Sequence, residues 1–427
     1  GATTQETTPP ADPPIQATVE SETRPYWVIR NDGSEAEGKL TLEAACTEAK
    51  DGQIVEIRYN GLLPETITKP IRIKNKSLTI VAGENYRPLL RFSGVETAAE
   101  GLLTRLFRLT NASVDLINVD FHLAPQTGAM SDETWALASL EGSGRVLLQG
   151  VTVTVDQPER GLASIVELLP APNSQTVKDM KMMNQDNEIK NDSFEVRVLK
   201  SFIRGSCNMF LTRHTLPGRI ELEQSALALE GSLLRAEGNL EMQDEDQHVE
   251  LRLDHTTCLV GMSLIRMDSG DTPRYLLPVH VRNTRDNLIG TNTSNTPLIS
   301  MNGKSDLDVF ERLIRWEGLK NFYDGFDVFW AISTNDFMPK KFEAWVQTWT
   351  ENITTKEESA QNGGFTWQGG WHTMDFTDVI ADDLRLDGRP ELENPAVKGA
   401  TDRTDVGVDL GRLPPLPIIV RDSALAP

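Results

Sequence analysis

Asp254, His255 and Thr256 form the one compact acid–base group in the repeating part of this 427-residue chain. A histidine beside a carboxylate is the arrangement of a general base. At a solvent-facing bend the same residues serve as plain turn formers, and only Gln224 and Asn283 align with them from neighbouring units. A second group suits rings rather than protons. Sugars present flat C–H faces that stack on indole, while amides and carboxylates fix their hydroxyls. Trp367 and Trp371 stand with Gln368 and His372 in the glycine-rich run GGFTWQGGWHTMDF. Trp345 and Trp349 are spaced i, i+4, which on a helix shares one face. These six residues make either a carbohydrate or peptide platform or, with less chemistry, a cover for one end of the fold.

The remaining candidates are weaker in pattern. Asp306/Asp308, Asp324/Asp327 and Asp382/Asp383 offer oxygen ligands of the kind Ca²⁺ takes, without the regularity of a dedicated loop. His122, His214, His248, His280 and His372 lack zinc-ligand spacing. Cys46, Cys207 and Cys258 are far apart and match no metal or redox motif, so they read as small buried hydrophobes. The other reading of Cys207 and Cys258 is a bridge between units.

What must position these residues is a repeat. VLKSFIRGSCNMFL from Val198, LEQSALALEGSLLR from Leu222 and LDHTTCLVGMSLIR from Leu253 share one internal spacing. In each, a polar residue (Lys200, Gln224, His255) precedes a small Ser or Thr, and nine positions on comes Met209, Leu233 or Leu264 in a second apolar strand. Looser copies put Asn118, Gly150 and Asn283 at the same bend. Copies recur every 24 to 32 residues, with one gap of 50. Such a period means stacked supersecondary units. Each unit reads as strand, tight turn, strand, loop, strand, with Leu, Ile, Val and Met inward and Arg, Glu, Asp and Thr outward. Asn and Gly suit a bend at positive φ; Lys, Gln and His suit it less.

The flanks differ. Residues 1–24 are Thr-, Pro-, Glu- and Ala-rich and read as a semi-extended linker, which implies something tethered ahead of it. Leu42, Ala45, Cys46 and Ala49 make one apolar face of a short helix with Thr41 as N-cap, closing at Asp51-Gly52. Such a helix shields the end of a solenoid. The stretches 171–193 and 238–250 read as loops extruded from coils. Coils are expected over 25–335, with a Trp-rich cap and extended tail over 336–427, including a helical-looking piece at TDVIADDLRLDG. The net charge of −21 repels nucleic acid and anionic membranes. No run of apolar residues is long enough to span a bilayer.

WVIRNDGS, LTLEAACTEAKDGQIVEIR and SLTIVAG resemble the first coil of the pectin-lyase-like right-handed parallel β-helices, closest to the pectin methylesterases. PLISMNG, RWEGLKNFYD and DVGVDLGRLPPLP resemble the β-helix region of bacterial membrane-anchored serine/threonine kinase-like proteins, in which a kinase domain, a membrane span and a linker come first. The resemblance implies an all-β, single-stranded right-handed parallel β-helix, and an extracytoplasmic (periplasmic or cell-surface) piece of a longer, membrane-anchored protein. The family's catalytic strands (Q-D-T-L, D-F-I-F-G, N-T-D, G-H-G, W-x-D-H) are missing, as are the kinase motifs; Asp254-His255 matches only the D-H.

The expected function is therefore non-catalytic recognition of polysaccharide or of an envelope partner. The alternatives are a lyase, hydrolase or esterase with a diverged site, and a spacer or adhesin. An enzyme should cluster carboxylates with Arg or Lys on one face of adjacent coils, as Asp254, Lys200 and Arg285 would. A binding module should show an exposed Trp shelf, and a spacer neither.

Overall fold

The computed structural model describes residues 24–93, 104–124, 135–156, 163–170, 193–213, 216–238, 247–270, 275–334, 337–350 and 356–419. Residues 1–23, the stretch 171–192 and most of 238–250 lie outside these, so the linker and both loop expectations do too. Among the described residues three sheets of eleven, ten and nine strands run the length of the molecule, here called A, B and C. Each coil contributes one strand to each sheet, and every pairing is parallel except the first, where Tyr26–Ile29 meets Ile54–Ile57 antiparallel. This is a parallel β-helix. Rungs Glu357–Glu358 and Gln361–Asn362 continue sheets A and B, so the coils run beyond the boundary expected at 335.

Inside, like sits on like. Val198, Leu222 and Leu253 stack in register in sheet A. Met209, Leu233 and Leu264 are fully buried, as their spacing requires. Cys46, Cys207 and Cys258 are buried and free, and burial pushes all three thiols up, Cys46 to about 12. At the N-terminal end the helix Leu42–Glu48 lies over the first coil, with Thr41 Oγ1 accepting from Ala44 N at 3.2 Å. Lys76 Nζ caps its other end, donating to the carbonyls of Cys46 and Ala49 at 2.7 and 2.6 Å. At the opposite end the helix Phe342–Thr350 puts Trp345 and Trp349 on one buried face, against Trp316 and Trp330.

The bend between sheets A and B is held at positive φ by Asn118, Gly150, Lys200, Gln224, His255, Asp286 and Lys320 in turn. Lys200, Gln224 and His255 therefore do occupy the bend, at φ of 49°, 46° and 46°. Asn283 does not: Asp286 takes its place. The strand Val279–Arg285 carries one extra residue between Val281 and Thr284, against both neighbouring strands. Arg282 and Asn283 are thereby pushed outward in a bulge, Asn283 at φ 50°.

The outer faces of sheets A and B differ. Sheet A alternates buried and partly exposed positions, and its outward residues pair across coils: Arg145 with Asp115, Arg197 with Glu221, Arg285 with Asp254. Sheet B strands such as Ala226–Leu229 and Thr257–Val260 are buried at every position. Their outward residues are covered by 365–413, which run back along the solenoid and pack Trp371, Phe376, Val379 and Val406 onto Phe202, Ala228, Leu259 and Leu288. The stretch expected to be helical forms only a single 3₁₀ turn, Ala381–Leu384, because its apolar residues serve this packing rather than a helical face.

Candidate functional site

The turn column explains its own unusual residue types. Gln224 Oε1 accepts from Asp409 N at 3.0 Å. Asp286, fully buried, accepts from Thr401 N at 2.8 Å and from the Thr401 hydroxyl. Lys320 Nζ donates to the carbonyls of Gly399 and Ala400 at 3.1 and 3.3 Å. His255 lies between these, with Nδ1 2.6 Å from Asp254 Oδ1 and Nε2 3.5 Å from Asp402 Oδ2 and 3.9 Å from Asp286 Oδ2. Three of these four consecutive turns hydrogen-bond one arm of the tail, and His255 faces the same arm. The hydrogen bond to Asp254 raises the His255 pKa, burial opposes this, and the carboxylates of Asp254, Asp286 and Asp402 raise it further.

These contacts turn His255 toward the tail, with Nδ1 held by Asp254 and Nε2 buried without a hydrogen-bond partner. Burial favours the neutral form of Asp254, but bonds from His255 and Arg285 outweigh it and hold the carboxyl below its usual range. Both its oxygens are engaged, Oδ2 by Arg285 at 2.7 Å. His255 is 8% exposed and faces the tail. Asp254 and Arg285 do stand on adjacent coils, as an enzyme requires; Lys200, two coils away, does not join them.

The tryptophan shelf does not exist. Trp345 and Trp371 are 0% exposed, Trp349 5% and Trp367 9%, so no indole face is open for a sugar ring. Trp345 and Trp349 seal the solenoid end. Trp371 lies against Gly290, where a Cβ would come within 3.0 Å of the indole. Trp367 Nε1 and His372 Nε2 both reach Asp324 Oδ2, at 2.7 and 2.8 Å. Only Gln368 and His372 of the six remain exposed, and the His372 ring stacks on Trp371 at 4.0 Å. The Gly-rich setting suggested exposure; the apolar outer face of sheet B reverses it.

Each acidic pair has at least one member engaged. Asp308 pairs with Arg312, Asp382 with Arg385, and Asp383 Oδ2 accepts from Ile380 N at 2.9 Å. Among the described residues no three His, Cys, Asp or Glu side chains come together as a metal site would need. His248 and His280 stack at 3.9 Å, and burial, with the charge of His248, Arg315 and Arg282, takes His280 down to about 4.

Among the described residues one open concave surface lies at the bulge, and a second of similar volume lies between the turn column and the tail, lined by Gln224, His255, Asp382, Arg385, Asp402 and Arg412. A cleft of about 630 Å³ crosses the outer face of sheet A, lined by Glu221, Arg252, Asp254, Asn283, Thr284, Arg285, Glu317, Lys356 and Glu358. The volume lies within the range of small-molecule sites. Its charged residues come from successive rungs, and His255 is not among the lining. The bulge projects Asn283 and buries Thr284 completely, leaving the Thr284 hydroxyl without a hydrogen-bond partner. Asn283 was expected at the turn because an uninterrupted register was assumed in its coil, and Arg252, Glu317, Lys356 and Glu358, on other coils, carry no spacing that singles them out. The available signal was VRNTRDN, which holds two Asn and an Asp where other coils hold one turn residue.

Beneath the cleft is a buried carboxylate. Ser201, Ser225, Thr256, Asn287 and Asn321 follow the turn column inside the coil, bonded in relay: Thr256 N to Asn287 Oδ1 and Asn287 Nδ2 to Asn321 Oδ1, both at 2.8 Å. The relay ends at Glu357, which is 3% exposed. It accepts from Trp316 Nε1 at 2.7 Å, the Tyr323 hydroxyl at 3.0 Å and Asn321 Nδ2 at 3.2 Å. Burial raises its pKa to about 7, against the pull of those three neutral donors. Gly318 is obligatory above it, since a Cβ there would collide with Glu357 Oε2.

Among the described residues the parallel β-helix thus carries its own tail on the outer face of sheet B and an open cleft on the outer face of sheet A. Comparison with known proteins adds no relative: no family model, no curated protein and no solved structure matches the chain.

Proposed function

We propose that the chain is a non-catalytic recognition domain that takes a polysaccharide, or an envelope partner presenting one, across the bulge cleft of sheet A. The observation that carries this is the cleft itself: a concave surface of mixed character in which consecutive rungs, about 4.8 Å apart, each offer charged or amide groups. An extended polymer laid along the axis meets a new set of hydrogen-bonding groups at every coil. The resemblance of PLISMNG, RWEGLKNFYD and DVGVDLGRLPPLP to the β-helix region of membrane-anchored kinase-like proteins supports an extracytoplasmic setting and a membrane-anchored parent. No helix among the described residues is long and apolar enough to cross a membrane.

A diverged lyase, hydrolase or esterase is the second reading, favoured by the Asp254–Arg285 pair on adjacent coils. Against it, Asp254 holds no proton to give and its imidazole partner faces away from the cleft. A polysaccharide panel tests both readings, with wild type beside Arg252→Ala/Asn283→Ala and with the same incubations assayed for new reducing ends and unsaturated products. Retention by wild type, weakened in the variant without products, is the expected result. Products would establish the enzyme, and no retention by wild type would end the carbohydrate reading.

A further inference from the structure

The charges that line the cleft do not cancel. Its three cations are all committed: Arg252 Nε is 2.5 Å from Glu250, Arg285 2.7 Å from Asp254, and Lys356 3.3 Å from Glu358. Glu221 is held from outside the cleft by Arg197 at 3.0 Å. Glu317 alone among the lining charges has neither an ion pair nor a hydrogen bond, and it is half-buried. A carboxylate kept partly out of water without a partner favours an incoming cation. An anionic ligand, by contrast, would find no free cation in the cleft and would approach a chain of net charge −21.

Resting on the reading of this cleft as a carbohydrate site, we infer that its ligand carries a protonated amine, as a de-N-acetylated amino-sugar polymer does, and that Glu317 is the group that selects it. Uronic-acid polymers are excluded by the same ledger.

The test uses the full chain and three defined probes: glucosamine oligomers, the matching N-acetylated oligomers and oligogalacturonate. Binding is measured at mildly acid pH, where the amines are charged, for wild type and Glu317→Gln. Glucosamine oligomers should bind about fivefold more tightly than their acetylated counterparts, the scale of one partly exposed charge pair. Glu317→Gln should abolish that preference at unchanged thermal stability, and added salt should reduce it in wild type. Equal binding of acetylated and free-amine oligomers, a preference that survives Glu317→Gln, or a preference for oligogalacturonate overturns the amine inference while leaving the cleft a carbohydrate site. Failure of all three probes, together with silence of the wider polysaccharide panel, overturns both.

Discussion

Sheets A and B are built on the same coils and share the same interior, yet their outer faces have opposite fates. Arg197, Glu221, Arg252 and Glu250 make sheet A an ion-paired surface that stands in water. Phe202, Ala226, Leu259 and Leu288 make sheet B a surface that water does not touch, because the tail lies on it. Outward residues do not shape the coil. They decide whether a face is kept for the protein's own chain or left for something else. The bend between the two faces belongs to the sealed side: its odd residues, from Gln224 to Lys320, hold the tail.

The sharpest way to break the contrast is to remove a tail anchor. Trp371→Ala should cost about 3–5 kcal/mol, the range for emptying a buried aromatic site. Denaturant melts measure this, and limited proteolysis should then cut within 365–413. Retained stability would mean that the tail is an ornament on sheet B.

Glu357 separates the interior from both faces. Its pKa is raised to about 7 on folding, so the native state binds the extra proton and stability falls as pH rises from the unfolded carboxyl value to 7. The loss should reach about 3 kcal/mol at most, from 1.36 kcal/mol per pH unit. Glu357→Gln should flatten that slope, as unfolding measured at pH 4.5, 6 and 8 will show.

His255→Asn keeps a residue that accepts positive φ and removes the clamp. The His255 pKa is raised, so its contribution is complete below the unfolded value and is lost as pH rises through the folded one. The variant should therefore be less stable by about 1 kcal/mol or less at acid pH, with the difference closing in alkali. The smallest effect belongs to sheet A: Arg252→Ala should change stability by no more than about 0.5 kcal/mol while weakening ligand binding.

Much of this architecture was legible. The turn column from Asn118 to His255, the Met209–Leu233–Leu264 interior and the Thr41-capped helix follow from period and side-chain type, because neighbouring coils impose them locally. The bulge at Arg282 and Asn283 was not, since one extra residue disappears among coils whose lengths already vary. The tail's docking was harder still: Thr401 meets Asp286 across 115 positions and Asp409 meets Gln224 across 185. One signal was present. ALAL and TCLV are apolar on both faces, unlike LRLD or IELE of sheet A, and a strand apolar on both faces must be covered on both. Applied to Trp367 and Trp371, that reasoning assigns them to the cover.

The division between an open sheet A and a sealed sheet B is tested most directly by amide hydrogen exchange on the full chain, with and without bound polymer. Protection should appear in Val249–Asp254, Val279–Arg285 and Ile314–Leu319, which flank the cleft, and the tail over 365–413 should be unchanged. Protection confined to the tail, with the cleft strands unaltered, would contradict the account and move the binding surface to the side described here as closed.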